Sequence, residues 1–233
     1  MKILYLIPAR RGSKRLAHKN ILKLANKPMI NYSIDAVLPL LKSNDELCVS
    51  TNDKEIIEVV EKNGISVPFI RPDYLSSDTT STQEVVDHAL QWYSNQGIHF
   101  DILVLLQPTS PLRTTINIQE ALKLWNKEID MIVSVKKTDA NPYFVLFEED
   151  QYGYLQKSKK GEYTRSQDCP KVYEYNGAIY IMSVNSIKNN SFSRKIKYLM
   201  AKKNSIDIDD VIDFKLAELL IKEMNSCNEN KEK

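Results

Sequence analysis

Cysteine is scarce in this chain. Cys48, Cys169 and Cys227 are widely spaced among 233 residues and include no Cys-x-x-Cys pair. That pattern argues against a disulfide framework and against a zinc site. Also missing is any apolar run approaching the ~18 residues that a membrane span requires. Met1-Lys2 and the five apolar residues that follow are too short for a secretory h-region, and no small-residue cleavage site comes after them. A reduced, cytoplasmic setting without membrane contact is therefore expected. Nor is there an excess of one charge: the net value of +2 leaves no general polybasic surface for nucleic acid. Internal repeats and low-complexity tracts are absent. The local exception lies at the start, where no Asp or Glu precedes Asp35 while eight Lys or Arg fall in the first 34 residues.

What is present fits an α/β protein. Hydrophobic content of 42% and charged content of 27% are ordinary for a globular chain, and the length suits one sizeable domain, 1–233. Apolar runs of strand length (3–7, 47–51, 67–70, 102–106, 131–135 and 177–182) alternate with segments of helical spacing at 32–41, 54–63, 84–94, 116–127 and 211–224. Near-continuous apolar strands between helices predict a mostly parallel sheet covered on both faces, with ligands beyond the strands' carboxyl ends. Residues 136–172 break the rhythm. They are polar, rich in Tyr and Lys, and carry Gly153 and Gly161 as turn signals. This stretch is read as a small β-rich excursion used for self-association. The charged tail 228–233 is expected to fray.

Four constellations could carry chemistry. The first, Ile7-Pro8-Ala9-Arg10-Arg11-Gly12-Ser13-Lys14-Arg15 running on to Lys19-Asn20, follows the first strand. Gly12-Ser13 permits close backbone approach, and Arg10, Lys14 and Lys19 can meet phosphate oxygens by charge-assisted hydrogen bonds. It matches neither a Walker A loop nor the dinucleotide fingerprint. The second is Arg71-Pro72 with Ser77-Asp78-Thr79-Thr80-Ser81-Thr82, where Ser81 and Glu84 make a capping box opening a helix through His88. His88 reads as a surface or packing residue. The third, Leu105-Leu106-Gln107-Pro108-Thr109-Ser110-Pro111-Leu112-Arg113, delivers Gln107 and two prolines into a turn of one shape. The fourth is Ser205-Ile206-Asp207-Ile208-Asp209-Asp210. Extended, Asp207 and Asp209 share a face and could hold one hard cation; alternatively Asp209 or Asp210 caps the following helix. Both readings can hold at once.

Taken in order, these segments and Asn176-Gly177-Ala178-Ile179-Tyr180-Ile181 resemble the motifs of the CMP-sialic acid synthetases, the acylneuraminate cytidylyltransferases. The resemblance spans nearly the whole chain. It implies a Rossmann-like nucleotide-diphospho-sugar transferase fold, a homodimer in which an excursion like 136–172 reaches the partner's site, and a Mg²⁺-dependent reaction. In that reaction the anomeric hydroxyl of a nine-carbon 2-keto sugar acid attacks the α-phosphate of CTP, giving CMP-sugar and pyrophosphate. It implies roles as well. Arg10 and Lys19 would neutralise the triphosphate, with Ser13, Lys14 and Asn20 on the nucleotide. Arg71, the Thr80 backbone and Thr82 would read the cytosine. Gln107, Arg165, Asn176 and Tyr180 would face the sugar, and Asp207 with Asp209 would hold Mg²⁺. Arg11 replaces the first Gly of the family's usual pair, Ala17 stands where Pro is frequent, and Thr82 replaces a Ser while keeping the hydroxyl. Where sialic-acid-specific members carry cations from the dimer partner, this chain has Phe144, Ser166 and Glu174, with Arg165 and Lys171 nearby. Such a pocket suits a legionaminic or pseudaminic acid as well as N-acetylneuraminate. A non-catalytic nucleotide-sensing module is the reading from another class; the retained Asp207 and Asp209 weigh against it.

Overall fold

The apolar runs come together as a six-stranded sheet in a computed structural model that describes residues 1–12 and 15–229, the side chains of 227–229 excepted. In chain order the strands are β1 (Ile3–Pro8), β2 (Lys23–Leu24), β3 (Lys27–Pro28), β4 (Glu46–Ser50), β5 (Ile102–Leu105), β6 (Met131–Lys137), β7 (Phe147–Glu149), β8 (Leu155–Lys157), β9 (Tyr173–Ser183) and β10 (Lys195–Leu199). The helices are α1 (Met29–Val37), α2 (Lys54–Glu61), α3 (Thr82–Asn95), α4 (Thr115–Lys123), α5 (Val184–Lys188) and α6 (Val211–Glu229). The large sheet runs β10-β6-β9-β5-β1-β4, while β2 with β3 and β7 with β8 form separate pairs.

Strand alternation divides the core. Ile3, Tyr5 and Ile7 turn to the face covered by α1, α2 and α4, where Ile30, Ile34, Ile56, Val60 and Ile118 are buried. Leu4 and Leu6 turn to the opposite face, against Val86, Ala89 and Tyr93 of α3 and Ile187 of α5. With both faces covered, the strands need apolar side chains at every position, which is why they lack a polar alternation. The β2–β3 pair and α6 enclose a smaller cluster of Leu24, Met29, Leu112, Ile208, Ala217 and Ile221.

Three local expectations change. Residues 67–70 make no strand: Pro68 has no amide to donate, and only Ile70 forms an isolated bridge, to Thr51. The strand expected at 177–182 begins earlier, at Tyr173, and runs antiparallel to both β5 and β6. It has to, because the chain leaves β6 at its carboxyl end and returns without a helical crossover. Residues 136–172 hold less β-structure than expected. Beyond the end of β6 only β7 and β8, three residues each, pair there. The rest is turns, with Asn141 and Asp150 accepting bonds from backbone amides just downstream and Gly153 at φ +85°.

Candidate active site

A cleft of about 290 Å³ opens beyond the carboxyl ends of β1 and β5. Arg10, Lys19 and Asn20 line it from the opening loop, Asp78, Thr80 and Thr82 from the segment entering α3, and Gln107 with Thr109 from the turn after β5. Ser13 and Lys14, the other expected nucleotide ligands of that loop, lie outside the described residues.

The loop is fastened where it leaves the sheet. Ala9 donates to the Ser50 carbonyl at 2.9 Å, the Arg11 amide donates to Asn52 Oδ1 at 3.0 Å, and Asn20 Nδ2 donates to the Arg10 carbonyl at 3.2 Å. Gly12 sits at φ +84°, a conformation that side-chain-bearing residues rarely adopt. His18, also left-handed at φ 52°, opens a 3₁₀ turn over Lys19–Ile21 that aims Lys19 and Asn20 into the cleft. Lys19 Nζ donates to the Ile208 carbonyl at 2.7 Å and lies 3.4 Å from Asp209 Oδ1. Arg10 Nη2 lies 2.6 Å from Asp78 Oδ1.

At the start of α3 the expected capping box is present. Glu84 N donates to Ser81 Oγ at 3.2 Å, and Ser81 N donates to Glu84 Oε2 at 2.7 Å. Hydrogen bonds from Ser81 hold the Glu84 carboxyl below its usual range. His88 packs against Phe69 at 4.8 Å between ring centroids. Its pKa is lowered by burial and by the Arg71 charge.

In the acidic segment one residue acts as a helix cap. Asp210 is the cap of α6, accepting from Ile212 N at 2.7 Å and Asp213 N at 3.0 Å. The Asp213 carboxylate in turn accepts from the amides of Asp209 and Asp210. The carboxylates of Asp207 and Asp209 thus escape capping. The segment has no regular secondary structure and is tied to the β5 turn by Ile208 N donating to the Thr109 carbonyl at 2.8 Å. The Asp207 carboxyl keeps an accessible edge but is crowded on its other sides. Lost solvation raises its pKa and the Asp209 charge adds to the rise, against a hydrogen bond from Thr109 and the charge of Lys19. Asp209 also has Arg15 Nη1 at 3.8 Å. Among the described residues no three His, Cys, Asp or Glu side chains form a metal-holding group.

A second cavity, of about 270 Å³, shares Thr82 and Gln107 with the first. Its walls are Val86, Leu105, Met131, Tyr180, Met182 and Phe192. Tyr180 lines this cavity, and burial, then the charges of Asp207 and Tyr175, push its phenol up. Met131, Met182 and Phe192 escaped sequence reasoning because they come from three separate elements and carry no motif.

Other expected residues sit elsewhere. Arg71 is buried behind the cleft wall; it donates to the Ser50 carbonyl, to Ser50 Oγ at 3.1 Å and to the Leu75 carbonyl at 3.4 Å. Burial pulls its pKa down to about 10, with Arg10 contributing. Asn176, expected to face the sugar, is buried. It accepts from Ser134 Oγ at 2.6 Å and donates to Ser205 Oγ at 2.9 Å, joining β6, β9 and the acidic segment. Its amide is therefore occupied by the core. Arg165 is exposed, lines neither cavity, and pairs with Asp168 at 2.8 Å; Glu174 pairs with Lys136 at 3.1 Å.

A residue without an expected role, Arg113, is the largest fully buried side chain. It donates to the carbonyls of Gln107 at 3.0 Å and Ala178 at 2.8 Å and to Ser33 Oγ, while its Nε has no partner. Burial brings its pKa down to about 9.

Residues 4–231 match the family model described as Cytidylyltransferase. The chain is 35% identical to the CMP-N,N'-diacetyllegionaminic acid synthase of Legionella pneumophila over 95% of its own length and 97% of that protein. It is 34% identical to the N-acylneuraminate cytidylyltransferase of Escherichia coli over 93% of its length, spanning about half (51%) of that longer protein. Among solved structures, CMP:2-keto-3-deoxy-manno-octonic acid synthetase complexed with CTP superposes with a TM-score of 0.70 at 18% identity, covering 96% of this chain and 100% of that one. That likeness shows the same Rossmann-like fold.

Proposed function

The chain belongs to the cytidylyltransferase family and is a nucleotidyltransferase; from that premise we propose that it transfers CMP from CTP to the anomeric hydroxyl of a sialic-acid-type nonulosonic acid. The hydroxyl oxygen bonds to the α-phosphorus, the bond from that phosphorus to the bridging oxygen breaks, and pyrophosphate leaves as the hydroxyl loses its proton. The supporting observation is the meeting of a cation-lined cleft and an apolar cavity at Gln107 and Thr82. Nucleotide in the first and sugar in the second would put the two reacting groups side by side, and such transfer needs alignment and charge neutralisation more than covalent help. Arg10 and Lys19 supply the positive charge; Gln107 orients the acceptor; Tyr180 borders it.

Asp207 and Asp209 fit a magnesium ion. Their oxygens are hard donors, they are released from capping by Asp210, and the charge of one raises the pKa of the other. With only two carboxylates, the remaining ligands would come from phosphate oxygens and water. When bound, the ion supplies neutralisation of the developing pyrophosphate charge. The reading also includes a homodimer made through residues 136–172, where Phe147, Tyr154 and Leu155 are all exposed.

One observation favours an acceptor of the legionaminic type over N-acetylneuraminate itself. The second cavity is walled by Val86, Leu105, Met131, Met182 and Phe192, which suits acyl and methyl groups better than a chain of hydroxyls. Pyrophosphate release from CTP over a panel of nonulosonic acids tests both levels. A failure to release pyrophosphate with any of the acceptors sinks the enzyme reading, and release with N-acetylneuraminate alone sinks the preference.

A further inference from the structure

The cleft assigned to a triphosphate contains a carboxylate. Asp78 Oδ1 stands 2.6 Å from Arg10 Nη2, and both residues line the cleft. The carboxylate is held there by its loop. Ser77 Oγ lies 3.0 Å from Thr79 Oγ1 and 2.8 Å from Thr80 Oγ1, and Thr80 Oγ1 donates to the Tyr74 carbonyl at 3.2 Å. Arg10 Nη1 also reaches the Ser76 carbonyl at 3.4 Å, so the same loop receives the guanidinium at two points. Both side chains keep solvent access, at 36% and 41%. An ion pair so open is weak and exchangeable, and a phosphate with two or more charges outcompetes a carboxylate for a guanidinium.

We propose that Asp78 is a built-in competitor for Arg10, an affinity-setting residue that weakens the hold on CTP and on pyrophosphate and so hastens discharge of the product. The inference rests on the triphosphate reading of the cleft. When nucleotide enters, Arg10 exchanges a carboxylate for phosphate oxygens; after transfer, the carboxylate stands ready to take the guanidinium back. No bond is made or broken by Asp78. Its effect falls on binding and release, and its charge, rather than its size, carries it.

Calorimetry with CTP and with inorganic pyrophosphate, each with magnesium, on the wild type, Asp78→Asn and Asp78→Ala tests this. Both variants are expected to bind pyrophosphate about two- to fivefold more tightly, the span set by exposed ion pairs, with CTP following and turnover falling where release limits it. Unchanged or weaker binding in both variants overturns the proposal and makes Asp78 a support that positions Arg10. In an Arg10→Ala background the gain should shrink clearly; a gain of undiminished size would show a general field effect and equally overturn it. If the wild type binds neither probe, the triphosphate reading itself has failed. If it binds both and the Asp78 variants do not tighten, only the competitor has.

Discussion

The cleft and the excursion at 138–172 are built on opposite plans. Besides the local capping box, the cleft region is held by bonds between residues far apart in sequence: Lys19 to Ile208, Asn204 Nδ2 to the Leu112 carbonyl at 2.8 Å, and Arg113 to Ala178. Those of the excursion close mainly on its own residues, such as Ser158 N to the Leu146 carbonyl and Lys159 N to the Pro142 carbonyl, with the Asp139–Lys202 ion pair reaching out. One region buries its polar anchors and the other leaves Phe147, Tyr152, Tyr154 and Leu155 exposed. The cleft takes its anchors from within one chain, whereas an exposed apolar surface of local bonds is where we propose that a second copy docks.

The contrast can be broken from either side, and the largest effect is expected in the cleft. Replacing Arg113 by Ala leaves two carbonyls and a hydroxyl buried without their donor, at about 1–3 kcal/mol each. Urea unfolding should register a loss of several kcal/mol by the same count. A loss within the range of ordinary surface changes would show that the cleft is not held as described.

Next come the acidic residues. Asp209→Asn should lower turnover about a hundredfold, the scale for removing one charge-stabilising group, with little change in melting temperature. Asp207→Asn should do the same to turnover but raise the melting point at neutral pH. The Asp207 pKa is raised in the folded protein, so its stability cost grows as pH climbs from the ordinary aspartate range through the raised value. The gain in the variant should therefore disappear in acid. A melting-point gain equal at every pH would refute the assignment.

The smallest effect on stability belongs to the excursion. Leu155→Glu is expected to change unfolding free energy by no more than about 0.5 kcal/mol while shifting sedimentation from dimer to monomer. Loss of stability without a shift in mass would return the region to the plan of the cleft.

Sequence revealed the cleft unevenly. Arg10, Lys19, Asn20 and Gln107 were readable because each belongs to a segment leaving the carboxyl end of a strand, where an open α/β sheet has to bind, and Thr80 and Thr82 because they flank the capping box of α3. The capping box was legible because its geometry is local. Asn176 and Arg71 were misplaced for the converse reason. A polar residue type announces bonding capacity without saying whether a ligand or the core will use it, and both are spent inside. Arg113 lay in plain view in the turn after β5, yet its partners on α1 and β9 are tertiary facts. The direction of β9 was hidden similarly, since an apolar run does not state which way it is threaded.

That reversed strand has a consequence for how the molecule can change. Lys137 and Tyr173 face each other in register across β6 and β9, so residues 138–172 depart and return at a single doorway on the sheet. Such a segment is an exchangeable cassette: it can lengthen, shrink or be transplanted between relatives without rethreading a strand. Because its doorway opens on the edge where the cleft lies, natural drift in the cassette could reshape that edge while the strands that frame the cleft are inherited unaltered.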